Sequence, residues 1–424
     1  MKFTIISLFP HYFTSPLSCG LLGRNIAKGR LTVNLLSPRD FSLDRHRTTD
    51  DRIYGGGPGM VMMVDPLLRT LKSIAGQPRT LLLSPKGRPL TQALARELAQ
   101  EPELTLICGR YEGVDARIEE LYPLETVSVG DVVLNGGESA AMCLMESVAR
   151  LLPGFMQHDE SVDEESFASG LLEYPHYTRP EEYAGHRVPE ILRSGNHGKI
   201  AVWRRHQSLA ATLAMRPELL ATASLTQEDM AFLRDQPRAL YGRNLYVALV
   251  HYPVINTSGQ EVTSSLTNLD VHDIARVSAT YGLGGYMICT PLHDQQALAG
   301  RIIDHWSQGS GAGYNPDRKK ALSKVTVCRD LDAALEQVGE AAGEMPFVAA
   351  TSARQGTMPL EEVRSILSKR PVLLVLGTGS GLAPSVLLQA DGLIRPLRFV
   401  SQYNHLSVRS AASIMIDRLL GDIF

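Results

Sequence analysis

Tyr54-Gly-Gly-Gly-Pro-Gly-Met60, Cys108-Gly-Arg-Tyr-Glu-Gly-Val-Asp115 and Ser128-Val-Gly-Asp-Val-Val-Leu-Asn-Gly-Gly-Glu138 are three glycine-rich stretches in the first third of the chain. Glycine lets a backbone approach a ligand closely and adopt positive φ. The second and third stretches each follow a short apolar run, Leu104–Cys108 and Thr126–Val129, of the kind that forms a buried strand. Ligands of open α/β sheets bind at the carboxyl ends of strands, so these loops are expected to meet around one small molecule.

Working outward, further apolar runs at Thr4–Leu8, Leu31–Leu36 and Thr80–Leu83 read as strands, and Ser139–Leu152 has helical spacing. The fold class expected for residues 1–158 is therefore α/β. Gln157 to Ser169 is polar, acidic and short of apolar anchors, and residues 159–173 are accordingly expected to be a flexible linker. A smaller all-helical domain is expected over 174–240, with one helix over Lys199–Met215 ended by Pro217. A second α/β domain then spans 245–424, with strands at Leu245–Val250, Gly285–Cys289, Lys324–Cys328, Pro346–Ala350 and Val372–Leu376. Ser307–Asp317 reads as a flexible loop and Ser407–Leu420 as a terminal helix.

The 424 residues allow two or three domains. No apolar run is long enough to span a bilayer, and the N-terminus lacks a small-residue cleavage site, so a cytoplasmic protein without a membrane partner is expected. Five widely spaced cysteines show no metal or redox spacing. The net charge of −3 does not suggest nucleic acid, but Arg179, Arg187, Arg193, Lys199, Arg204, Arg205 and Arg216 form a local basic island. Such an island is either a solvated helix face or a phosphate-tracking surface.

One glycine cluster invites a wrong reading. Pro371-Val-Leu-Leu-Val-Leu-Gly-Thr-Gly-Ser-Gly381, with Asp391 beyond it, looks like a strand entering a dinucleotide-binding loop. That fingerprint opens its fold, whereas here only about one strand and one helix can follow. A nicotinamide-dependent enzyme is therefore rejected.

The ordered series Asp44-Arg-His-Arg-Thr-Thr-Asp-Asp-Arg-Ile-Tyr54, the glycine stretches after it, Leu83-Ser-Pro-Lys-Gly87, Pro175-His-Tyr-Thr-Arg-Pro180 and Ser194-Gly-Asn-His-Gly-Lys-Ile200 closely resembles the TrmD family. These are bacterial tRNA (guanine-37-N(1))-methyltransferases that use S-adenosylmethionine. The resemblance runs from Ile5 to Leu220, about half the chain. It implies a SPOUT trefoil-knot domain, a homodimer with its pocket built across two subunits, tRNA as substrate, and Mg²⁺ for methyl transfer at a site not located. In that family an arginine after the knot and an aspartate in the linker serve the reaction. They correspond to Arg150 and to Glu165 within Glu164-Glu-Ser-Phe167, a carboxylate one methylene longer, with Glu164 and Asp163 as alternatives.

The same resemblance assigns cofactor contacts to Leu82, Leu83, Ser84 and Pro85, to Gly109, Tyr111, Glu112 and Gly113, and to Ser128, Val129, Gly130, Asp131, Val132, Val133, Leu134, Gly136 and Gly137. The side chains of Val129 and Val132 read as core. Glu112 and Asp115 are candidates for holding the sulfonium or a metal ion, or else cap turns. Lys199, Trp203, Arg204 and Arg205 are the candidate tRNA contacts, with Trp203 read as packing its helix or stacking on a base.

The late cluster is similar to SPOUT cofactor loops: Leu376, Gly377, Gly379 and Gly381, then Ile394 in Leu393-Ile-Arg-Pro-Leu397, then Leu406 and Ser407. Asn268 to Gly282 resembles an early motif of the ribose-methylating branch, making Arg276 a candidate substrate-positioning residue. The second domain is thus expected to be a second SPOUT-like RNA methyltransferase or a non-catalytic module. A chain acting only as an RNA-binding scaffold is the competing reading.

Overall fold

A computed structural model describes residues 1–156, 165–236, 242–397, 403 and 405–421. It forms two compact units, Met1–Ser169 and Gly170–Phe424. Both ends expected for the linker and helical domain, near 158 and 240, fall outside the described residues, as do Asp163 and Glu164.

In the first unit five parallel strands, β1 (Lys2–Ile6), β2 (Thr32–Leu36), β3 (Arg79–Pro89), β4 (Glu103–Cys108) and β5 (Glu125–Ser128), are ordered β2-β1-β4-β3-β5. The central runs Phe3–Ile6, Thr80–Leu83 and Leu104–Cys108 are buried because both faces of the sheet are covered there, whereas the edge strand β2 is partly exposed. Leu81 and Leu83 of β3, with Leu104 and Leu106 of β4, enter one core, while Leu82 and Ile107 enter the other. Strand β3 runs six residues past its expected end, with a register break between Leu83 and Arg88. The helix Glu138–Ala149 follows β5.

The second unit holds a six-stranded parallel sheet of β6 (Leu245–Val250), β7 (Gly285–Cys289), β8 (Val325–Cys328), β9 (Phe347–Thr351), β10 (Val372–Gly377) and β11 (Gly392–Ile394), ordered β8-β7-β6-β10-β9-β11. Numbered within each unit and setting aside the edge strand β8, both sheets have the order 2-1-4-3-5. The two sheets thus share one topology, which no sequence repeat announces.

Two expectations are corrected. Ser307–Asp317 is not an irregular loop: it includes the short helix Ser310–Tyr314 and the start of the helix Pro316–Leu322. Asn315 caps the latter by accepting from the Arg318 N–H, and Pro316 occupies its first turn. The segment from 174 on is also not all helical. Glu182–Tyr183 and His186–Arg187 pair antiparallel around Ala184 and Gly185, both at positive φ as a tight hairpin turn requires. The helices of this segment, His197–Met215 and Gln227–Arg234, contribute Leu209, Leu213 and Leu233 to the same hydrophobic cluster as Leu245 and Leu249 of β6.

Candidate active site

The loops after β4 and β5, with the Leu83–Arg88 segment of β3, gather at one edge of the first sheet. Gly137 donates to the Gly109 carbonyl at 2.9 Å, and Leu90 donates to the Ser128 carbonyl at 2.7 Å. Glycine is required where backbones touch. A Cβ on Gly87 would lie 2.4 Å from the Thr126 carbonyl carbon, and one on Gly137 would lie 2.7 Å from Cys108 Cα. The short strand Met60–Met62 is stitched to the loop after β4, because Glu112 donates to the Met60 carbonyl and Met62 to that of Gly113. The first glycine stretch therefore abuts the second: a Cβ on Gly59 would meet Glu112 Cγ at 2.6 Å.

Leu82 and Leu83 bury their side chains in opposite cores, leaving only backbone for a ligand, while Ser84 and Pro85 sit at the rim. Tyr111 is exposed with φ +60°, beside Gly113 at φ +122°. Ser128 is buried and its hydroxyl closes a turn with Gly130. Val129 packs on the core as expected. Val132 does not: it is 56% exposed, and with Val133 (89%) and Leu134 it forms an apolar tip facing solvent beside the exposed Asp131. The loop leaves the sheet at Gly130, φ +147°, and returns only at Gly136.

Arg150 caps the helix Glu138–Ala149, and its Nη2 lies 2.6 Å from Glu165 Oε1. Both side chains are partly exposed, at 38% and 25%. The family-derived pair is thus brought together within one unit. Guanine presents N(1)–H, a donor, beside O6, an acceptor. A carboxylate next to a guanidinium offers the complementary acceptor and donor.

No group of three or more His, Cys, Asp or Glu side chains gathers around a point among the described residues. Asp115 is engaged by Arg117, whose Nε donates to it at 2.9 Å, and this pairing holds its carboxyl below the usual range. The described residues do not fit a resident divalent-cation site.

Of the helical-segment candidates, Lys199 is exposed, with no ion pair among the described residues. Arg205 is engaged within its own fold: Nε and Nη2 clasp Asp229 at 3.1 and 2.8 Å, and Nη2 also reaches the Ser224 carbonyl. Arg204 lies over the Tyr174 ring at 4.7 Å, and Trp203 is tilted against Tyr177. The basic island is also partly matched, with Arg187 paired to Glu182 and Arg193 to Glu181.

In the second unit Leu376 and Ile394 are core residues. The Gly377–Gly381 loop is stitched to the end of β6 and to the short hairpin beyond it, Val254–Ile255 paired with Glu261–Val262: Thr378 donates to the Val250 carbonyl, Ser380 to that of Ile255, and Ile255 to that of Gly381. Gly379 and Gly381 take positive φ there. Leu406 is half exposed, and Ser407 caps the helix Val408–Leu420. Arg276 borders a cavity of about 360 Å³ with Thr280, Arg409, Ser410 and Ser413.

The residue reading missed two features. Ser352–Thr357, after β9, occupies the topological place of the segment after Leu83 in β3. Gly356 packs on β11 there, with a Cβ position 2.1 Å from the Ile394 carbonyl oxygen, as Gly87 packs on β5. Its signal was its position directly after the strand expected at Pro346–Ala350; the strand it packs on, β11, was not recognised in the sequence. His251 was also missed: it is fully buried at the end of β6, and its Nδ1 lies 3.1 Å from Ser264 Oγ.

Known proteins share both halves. The family model described as tRNA (Guanine-1)-methyltransferase TrmD matches residues 1–222, and one described as SAM-dependent RNA methyltransferase matches residues 244–421. A protein of Oleidesulfovibrio alaskensis named tRNA (guanine-N(1)-)-methyltransferase is 56% identical over 423 residues, covering all of both chains. One of the same name from Nitratidesulfovibrio vulgaris is 56% identical over 425 residues, again covering both chains. One from Geotalea uraniireducens is 51% identical over 241 residues, 56% of this chain but 98% of its own length. The relatives thus occur with and without the second sheet. A match over the unit that carries the glycine loops and the Arg150–Glu165 pair, with full-length relatives of one name, places the chain in the TrmD family of tRNA (guanine-1)-methyltransferases.

Proposed function

We propose that the chain methylates N(1) of the guanosine 3′ of the tRNA anticodon, position 37, from S-adenosylmethionine. The observation that carries this reading is the Arg150–Glu165 ion pair in a chain of this family. Guanine N(1) holds a proton at neutral pH and is a poor nucleophile until it is removed. Glu165 accepts that proton as N(1) forms its bond to the methyl carbon and the carbon–sulfur bond breaks. Arg150 donates to O6, where negative charge gathers. S-adenosylmethionine, when bound, supplies an electrophilic methyl group on a sulfonium. The backbones of Leu82–Pro85, Gly109–Gly113 and Ser128–Gly137 would hold it, their donors and acceptors suited to the edge of an adenine.

The reading includes a trefoil threading of each sheet, a cytoplasmic homodimer and tRNA contact by Lys199. The close passage of Gly87 over β5, the exposed Val132–Leu134 tip and the five free cysteines support these points. The shared 2-1-4-3-5 order and the second family match favour a second methyl-donor site formed by Ser352–Thr357, Gly377–Gly381 and the Ile394–Leu397 turn.

The test is methyl transfer from labelled donor to unmodified tRNA, with the product mapped by mass. Wild type should yield N(1)-methylguanosine at position 37, and Glu165→Gln should lose on the order of a hundredfold or more in rate. Product unaffected by Glu165→Gln would move the base to Glu164 or Asp163. No product from wild type would favour the scaffold reading.

A further inference from the structure

The buried network at the end of β1 has no role in the chemistry above. Ser7, directly after β1, is 1% exposed and donates to Glu138 Oε1 at 2.6 Å. Glu138 is also 1% exposed and opens the helix after β5. Arg110, in the loop after β4, reaches both of its oxygens: Nε donates to Oε1 at 3.2 Å, and Nη2 lies 2.8 Å from Oε2 as an ion pair that does not reach hydrogen-bond geometry. Its Nη1 donates to the Asn135 carbonyl in the loop after β5 at 3.0 Å, and its guanidinium lies over the Phe9 ring at 4.6 Å. Gly136 gives the guanidinium room, since a Cβ there would stand 2.2 Å from Nε.

One side chain of the second cofactor loop thus grips the third. A carboxylate this buried depends on its counter-ion: Oε1 holds both hydrogen bonds, from Ser7 and Arg110, and Oε2 has only the charge of Arg110 beside it, so removing Arg110 would leave Glu138 a buried, unpaired charge. Were Glu138 uncharged, Arg110 would lose its counter-ion while still having to order a loop whose tip, Val132–Leu134, is exposed.

We infer that Arg110, Glu138 and Ser7 form a clamp that sets the spacing of these loops and thereby the affinity for the methyl donor. They are positioning residues, and the inference rests on the methyl-transfer reading. The second unit also ties a loop from the place directly after its first strand: His251, directly after β6, meets Ser264, which meets Thr378 in the loop after β10, the counterpart of the loop after β4 that carries Arg110.

The experiment measures donor affinity by calorimetric titration, and separately KM and kcat for tRNA methylation, on wild type, Glu138→Gln, Arg110→Lys and Ser7→Ala. Glu138→Gln and Arg110→Lys are expected to raise Kd and KM for S-adenosylmethionine on the order of tenfold. At saturating donor, kcat should stay within about twofold, as expected for an interaction common to ground and transition states. KM for tRNA should not move. Ser7→Ala, the mildest change, should shift donor KM in the same direction and keeps the test readable if Glu138→Gln fails to fold. Unchanged donor affinity in the folded variants, or a fall confined to kcat, would overturn the clamp. A wild type that binds donor but makes no N(1)-methylguanosine would sink the functional reading alone, because the titration still reads the clamp.

Discussion

Gly87 carries more of the site than its lack of a side chain suggests. Its backbone lies on β5 where a single added carbon would sit 2.4 Å from both the Thr126 carbonyl carbon and the Val127 nitrogen. Those are backbone atoms and cannot yield by a rotamer change. Gly87→Ala should therefore destabilise the first unit by about 1–3 kcal/mol, as overpacking does, and weaken donor binding with it. Urea unfolding monitored beside donor titration checks this. Gly356→Ala is the matched control: a Cβ there meets the Ile394 oxygen at 2.1 Å, and φ is +138°. It should destabilise the second unit and leave N(1)-methylguanosine formation at wild-type rate.

At the scale of elements, the helix His197–Met215 shows how a basic stretch divides its labour. Asp229 is 4% exposed and depends on Arg205 and the Thr226 backbone. Arg205→Ala strands that carboxylate and should cost about 1–3 kcal/mol of stability. The salt dependence of tRNA binding should hardly change. Lys199→Ala should do the reverse, leaving stability within about 0.5 kcal/mol. It should also lower the slope of log affinity against log salt by about one. Filter binding at several salt concentrations separates the two, and a slope change in Arg205→Ala alone would reverse the assignment.

At the scale of the whole molecule, two sheets of one topology sit in two units with different polar interiors. Burial holds the His251 and His272 imidazoles below their ordinary value, with the charge of Asp270 opposing this for His251 and that of Asp273 for His272. An unfolded histidine titrates near 6.5. Below that pH the unfolded chain binds protons that the folded second unit does not. Its stability is therefore full above about 6.5 and falls as pH drops through that value. His251→Gln should flatten part of that fall, measured as urea midpoints between about pH 7.5 and 5.5; an unchanged slope would place the burden elsewhere. Two methyl-donor sites also predict two molecules bound per chain at saturation in equilibrium dialysis. A value of one would make the second sheet a non-catalytic module.

The apolar runs of β6, β7 and β10 were legible because strands buried on both faces must be apolar throughout, and the glycine stretches because close backbone contact excludes any Cβ. β11 was not legible: three residues, Gly392–Ile394, carry no period, and their strand exists only because β9 lies beside them. The helix Ser310–Tyr314 was hidden by its serine and glycines, whose low propensity was overridden by packing against the neighbouring helices. Within the site, the sequence by itself determined the residue types and order of the loops, the Arg150 and Glu165 candidates and the family they resemble. Only the tertiary structure decided that Arg205 serves Asp229, that Val132 faces solvent and that Arg110 grips Glu138. Local pattern reports what a residue prefers and which face it buries, whereas partners 24 or 28 positions apart along the chain are chosen by how distant segments pack.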